Sequence, residues 1–193
     1  WDLGLPHVIR GALHVGNEPT GLQNLISVQA HTFNGDWRQR VVFSDSHDTA
    51  ANGNERLVST VVPDTHSVDA RRIAILGSAI ALTTPGIPML LAGSEFMQGG
   101  TFNDWKALDW ENVDKFDGII EAHRHLIALR NNQYGDTAGL MSADYRVLLQ
   151  DENCRVLMYQ RGQDNAQPVI VVANFSGRKW TDYKLPLPYG DWI

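Results

Sequence analysis

From Ile73 to Ser94 the chain runs twenty-two residues without a charge, and no other feature limits its fold as tightly. An apolar helix of that length could cross a bilayer. The middle of the run forbids it. Thr83, Thr84, Pro85, Gly86 and Pro88 lie there, and two prolines remove backbone donors in a setting where lipid offers no replacement. The stretch therefore reads as a buried helix, a turn and a buried strand. Ser67 can cap the helix, its apolar stripe is Ala70, Ile73, Ala74, Gly77, Ile80 and Ala81, and it stops at Thr84-Pro85-Gly86. Pro88 to Ala92 (PMLLA) is the strand, a continuous apolar run of the kind found covered on both faces.

A second short strand precedes that helix. Arg40 to Phe43 is β-branched and aromatic and ends abruptly in Ser44, Asp45, Ser46, His47 and Asp48. Two helices lie upstream. Leu5, Val8, Ile9, Ala12 and Leu13 follow helical spacing up to Val15, and Thr20 with Gln23 forms a capping box before Leu22, Leu25 and Ile26. Downstream, Phe116, Ile119, Ile120, His123, Leu126 and Ile127 repeat the stripe, with Arg130 in the last turn where the helix dipole favours a cation. Strand, helix, strand, helix thus follow one another from 40 to 131. Strands joined by a helical crossover build a parallel sheet, in an open doubly wound form or a closed barrel. From Tyr145 the period changes to two: YRVLLQ and CRVLMYQ flank Asp151-Glu152-Asn153, and PVIVVANF follows before a turn at Ser176-Gly177. That is a small antiparallel module.

Composition removes several functions. With 16 Lys and Arg against 22 Asp and Glu the formal charge is −6, and no run of four basic residues offers a phosphate backbone a grip, so nucleic acid is excluded as a partner. Membrane is excluded by the broken apolar run. The opening WDLGLPHVIR has no basic start and no apolar core of a signal peptide, which favours a cytoplasmic location. Cys154 stands alone, so no internal disulfide framework exists; alternating with Val156 and Met158, it reads as a small buried hydrophobe. No zinc spacing, phosphate loop or nucleophile elbow is present. His123 and His125 sit two apart on a helix and face different sides, which makes His123 a hydrogen-bonded core histidine. No cofactor is called for, and a calcium site is not inferable from the residues.

The candidate chemistry lies in FSDSHD at 43–48, where an apolar strand delivers a polar cluster at its C-terminal end. Asp48 can stabilise positive charge and His47 can hydrogen-bond a hydroxyl-rich ligand. Equally, Asp45 and Asp48 can cap the following turn with His47 on the surface. Glu95 follows its own apolar strand directly, as Asp48 does, where it can serve as a cap or ion-pair partner. Phe102, Trp105 and Trp110 share a loop on the same face and can stack on a ligand or anchor that loop. Trp180, Tyr183, Tyr189 and Trp192 in the β module form either a ligand-binding face or its core and rim.

SHD at 46–48 followed by NGNERL, then TTPGIPMLLAGSEFMQGGTFNDWKALDW at 83–110 and FDGIIEAHRHLIALRNN at 116–132, resembles the α-amylase superfamily, glycoside hydrolase family 13, over roughly residues 1 to 190. The GSEF and LDW elements are most similar to α-glucan branching enzymes and their bacterial relatives. The resemblance implies a fold of α/β plus all-β type: the C-terminal part of a TIM (β/α) barrel, its last two strands and helices, over 1–135, then a small antiparallel β domain over 136–193 that is cut short at GDWI. It implies an α-glucan partner (starch, glycogen or maltooligosaccharide) and a retaining reaction by two carboxylates, with a third binding sugar hydroxyls as an oxocarbenium-like state develops. Asp48 takes that third role by motif match, as transition-state stabiliser. His47, Glu95 and Trp105 are then substrate-binding. The reaction is glucan transfer, with α-amylase-type hydrolysis as the alternative and a non-catalytic glucan-binding or interaction module as a reading of another class. The family's nucleophile and acid/base belong to motifs ahead of Leu5 that this sequence does not match; Asp2, Glu18 and Asp36 lie outside any such context. The chain alone is therefore expected to be inactive, and a quarter-barrel with a bare strand edge at 40–44 to be aggregation-prone.

Overall fold

A computed structural model describes residues 1–13, 21–62 and 64–190. Helices α1 (Gly4–Leu13) and α2 (Leu22–Ala30) come first, followed by strand β1 (Val41–Val42), helices α3 (Leu57–Val61) and α4 (Val68–Thr83), and strand β2 (Ile87–Pro88). Helices α5 (Asn112–Lys115) and α6 (Asp117–Arg130) lead into strands β3 (Tyr145–Asp151), β4 (Val156–Arg161) and β5 (Val169–Asn174). The strand pair is parallel, Val41 opposite Ile87 and Val42 opposite Pro88, with Ile87 N donating to Arg40 O and Met89 N to Val42 O. β3, β4 and β5 form an antiparallel meander in that order.

The expected helix over 70–81 is α4, and Ser67 Oγ caps it by accepting from Ala70 N at 3.1 Å. The run after it departs from expectation. PMLLA contributes only Pro88 to the ladder, and its residues are half-buried or exposed rather than covered on both faces. Beside it Ile87 is half exposed, because β1 is the only strand paired with β2 among the described residues. α2 also starts differently. Thr20, like Val15 and Glu18, lies outside the described residues, and the first turn is capped from far away: Leu22 N and Gln23 N both donate to the Glu152 carboxylate on the β3–β4 turn. Cys154 belongs to that turn, half-buried, with β4 beginning only at Val156. The Asp151 carboxylate draws the chain round by accepting from Cys154 N at 2.9 Å, which is why the strand starts late. Ile127, expected in the α6 stripe, is partly exposed.

β4 is the best-covered strand, buried along all six residues. Leu157 and Tyr159 from it, with Ala173 and Phe175, pack against Leu5, Ile9, Leu22, Leu25 and Ile80 in one core. The β module and the helical part thus share their apolar interior across residue 135. Burial of this continuous cluster is the main favourable term available to the chain.

The turn after α4 is fixed from three directions. A helix leaves its last carbonyls without intrahelical donors, and here five in succession accept from guanidiniums. Arg130 donates to the carbonyls of Leu82, Thr84 and Gly86, Arg161 to that of Thr83 and Arg40 to that of Pro85. Arg130 lies in the last turn of α6, as its place in the sequence predicts, and its head group completes the end of α4. Burial pushes both Arg130 and Arg161 down to about 10; among the described residues Arg40 alone of the three forms an ion pair, with Asp2 at 2.5 Å. Gly86 is required at this turn: at φ 144° an added Cβ would lie 2.6 Å from Val42 Cγ1.

Candidate functional site

Beyond β1 the chain dips and then emerges. Phe43, Ser44, Asp45 and Ser46 are buried, whereas His47 and Asp48 are exposed. Two local devices cause the change. Asp45 is held inward by an ion pair with Arg10 of α1 and by Leu57 N, which donates to both carboxylate oxygens at 2.9 and 3.1 Å. Burial raises the Asp45 carboxyl above its ordinary value against the pull of Arg10 and the Leu57 amide. Ser46 and Thr49 then close a turn on each other, Ser46 N donating to Thr49 Oγ1 at 2.8 Å and Thr49 N to Ser46 Oγ at 3.2 Å. The two residues between them are turned outward. His47 Nε2 stands 3.3 Å from Asp48 Oδ1, with the side chains 50% and 62% exposed.

The two readings of FSDSHD therefore divide between residues. Asp45 receives the first amide of α3, whereas the His47–Asp48 pair caps nothing among the described residues and is exposed. Aromatic rings frame it. Trp1 lies 5.4 Å from the His47 ring, edge-on, and Phe102 lies 5.8 Å away on a tilt. The backbone brings Phe102 there, its N–H donating to Ala50 O at 2.6 Å. Sequence reasoning placed Phe102 correctly on this face but missed Trp1 and Arg10. Nothing local marks Arg10: its contacts with Ser44 and Asp45 span more than thirty residues.

Glu95 and Trp105 sit in the neighbouring loop. Among the described residues, no hydrogen bond, ion pair or ring contact joins either to His47 or Asp48. Glu95 Oε2 accepts from Gly93 N at 2.9 Å, the cap reading, and its charge also attracts Arg56. Trp105 is 97% exposed, while Trp110 leans on Phe96 at 5.3 Å and anchors the loop. The two loops are joined beneath the exposed groups: Arg56 N donates to Gly100 O, Arg56 Nη1 to Ala92 O and Gly100 N to Ser59 Oγ. His123 is a core residue, as expected. Its Nδ1 lies 2.8 Å from Ile119 O, which only an N–H can satisfy, so Nε2 accepts from the Ser78 hydroxyl at 2.9 Å. Among the described residues no three His, Cys, Asp or Glu are grouped to hold a metal, and no helix is long and apolar enough to cross a membrane. In the β module Trp180 and Tyr183 rings lie 6.1 Å apart and Tyr189 is fully exposed; Trp192 lies outside the described residues.

Residues 147–193 match the family described as alpha amylase, C-terminal all-beta domain. The chain is 28% identical over 163 residues to the 1,4-alpha-glucan branching enzyme of Pseudomonas syringae pv. syringae, covering 81% of this chain and 22% of that one. It is 28% identical over 166 residues to the branching enzyme of Leifsonia xyli subsp. xyli, with the same coverage. It thus spans under a quarter of the length of these curated relatives. Among solved structures, it shares its fold with the α-amylase of H. orenii (TM-score 0.65, 16% identity, 90% of this chain and 38% of that one). A pullulanase from Anoxybacillus sp. LM18-11, complexed with maltotriose, gives a TM-score of 0.60 at 19% identity over 79% and 24%. The resemblance to the α-amylase superfamily carried by SHD, TPGIPMLLAGSEF and LDW is borne out, with glucan branching enzymes among the chain's relatives and an alpha-amylase C-terminal all-beta domain at its end.

Proposed function

We propose that this chain serves an α-1,4-glucan-active enzyme of branching-enzyme type, with residues 1–135 contributing two strands and their helices to a (β/α) barrel and Asp48 stabilising the transition state. The observation that carries the reading is the exposed His47–Asp48 pair at the C-terminal end of a strand that pairs in parallel with β2. Active sites of parallel barrels gather at that end because the strand-to-helix loops converge there. A fixed carboxylate beside an imidazole suits such a role, since hydrogen bonds to ring hydroxyls that strengthen as the sugar flattens lower the barrier more than they tighten ground-state binding. The Trp1 and Phe102 rings stand 5.4 and 5.8 Å from the imidazole, and Glu95 and Trp105 reach the glucan farther along. The chemistry is retaining, with transfer to a glucan hydroxyl.

The test is Asp48→Asn in the full-length enzyme. Turnover is expected to fall about 10²–10³-fold, the cost of removing one preorganised stabiliser, with substrate binding within a few-fold of the parent; near-normal turnover overturns the assignment. Iodine staining with debranching of the product separates transfer, which makes new α-1,6 linkages, from hydrolysis, which makes only reducing ends. A second reading, a glucan-binding surface without turnover, draws on the exposure of Trp105; retention of maltooligosaccharides with no product would favour it.

A further inference from the structure

Arg56 is almost wholly buried, and its Nε has no hydrogen-bond partner among the described residues although its Nη1 does. A buried donor left without an acceptor costs about 1–3 kcal/mol, so native proteins supply one, often as an ordered water. The chain provides the room. Arg56 lines a part-open cavity with about 20 Å³ of room for a water-sized sphere, shared with Ser44, Asp45, Ser78, Ser94 and Gln98. One water needs about 10–15 Å³ by this measure and two to four polar partners. We propose that this cavity is a binding site for a single structural water that accepts from Arg56 Nε and donates to Asp45 or Ser78.

The hydrogen-bond balance favours water over an ion. Ser78 spends its proton on His123 Nε2, leaving lone pairs that accept, and the Asp45 carboxylate also only accepts when ionised. A halide could satisfy Arg56 but would give Asp45 and Ser78 no donor and would sit beside a buried carboxylate; a cation would face Arg56. Water alone both accepts from one wall and donates to the other. Its place matters because Ser44 and Asp45 belong to the segment that presents His47 and Asp48, whereas Ser94 and Gln98 flank Glu95. The water thus ties Arg56 to Asp45 or Ser78 at a point where both loops line the same cavity.

The experiment is a crystal structure of the protein at a resolution that shows ordered solvent, with a second crystal in which bromide replaces chloride. The expected result is one density peak within about 2.7–3.2 Å of Arg56 Nε, in reach of Asp45 or Ser78, and no anomalous bromide signal there. An anomalous peak in the cavity overturns the proposal in favour of an anion. So does a cavity with no density, or a peak that stands beyond hydrogen-bond reach of Arg56 Nε.

Discussion

At one end of the β1–β2 pair five successive carbonyls, Leu82 to Gly86, accept from Arg40, Arg130 and Arg161, whereas at the other, among the described residues, the His47 and Asp48 side chains meet each other and two rings. Both ends are polar, but they spend polarity differently. The buried end satisfies backbone with side chains drawn from three separate elements, so no single turn can move without stripping several bonds. The open end holds its backbone with the local Ser46–Thr49 turn and with Asp45, which takes Leu57 N and Arg10, and leaves His47 and Asp48 exposed.

The comparison can be broken first at Arg161, the largest expected effect. Arg161→Met strands the carbonyls of Thr83, Leu140, Ser142 and Asp144; at about 1–3 kcal/mol for a buried group left unpaired, stability should fall by about 3–5 kcal/mol in urea titration of the full-length protein, and a loss below about 1 kcal/mol would show the buried end to be no stronger than a surface. Gly86→Ala comes next. A non-glycine residue at that φ is strained by about 1–3 kcal/mol, and the close Val42 contact adds to it, so the melting temperature should drop while Asp48-dependent turnover per folded molecule is kept. A smaller effect sharpens the contrast within the open end. Since burial raises the folded Asp45 carboxyl above its unfolded value, its contribution to stability is fully present below about pH 3.9 and is lost as pH rises through the folded value. Asp45→Asn should remove that slope from the pH–stability profile; an unchanged slope would mean the carboxyl is not perturbed by burial. Smallest is Trp105→Ala, expected to leave stability within about 0.5 kcal/mol while weakening maltooligosaccharide retention in affinity electrophoresis. Unchanged retention would remove Trp105 from the glucan-binding surface.

Much of this was legible in the sequence where the signal is local. The Ser67 cap, the α4 stripe and the parallel arrangement of two apolar runs follow from spacing and punctuation, and the structure has them. His123 as a core residue followed from its place in the stripe. What spacing could not show is contact between distant segments: the reach of Arg10 to Asp45, the three guanidiniums on one turn, and the placement of Trp1 against His47. The exposure of PMLLA also escaped it, because an apolar run reports how much burial a strand tolerates and says nothing of which neighbours are present to cover it. Cys154 was misplaced by two-residue alternation, which continues through a turn as readily as through a strand.

Glu152 closes the start of α2 across 130 residues of chain. During synthesis the helix is made long before the hairpin that finishes it, so its first turn stays frayed until the β module has emerged and docked. Long sequence separation of this kind slows folding, since a large loop must close before the contact is gained. Glu152→Gln should therefore act mainly on the last step of assembly, seen as faster unfolding with an almost unaltered refolding rate.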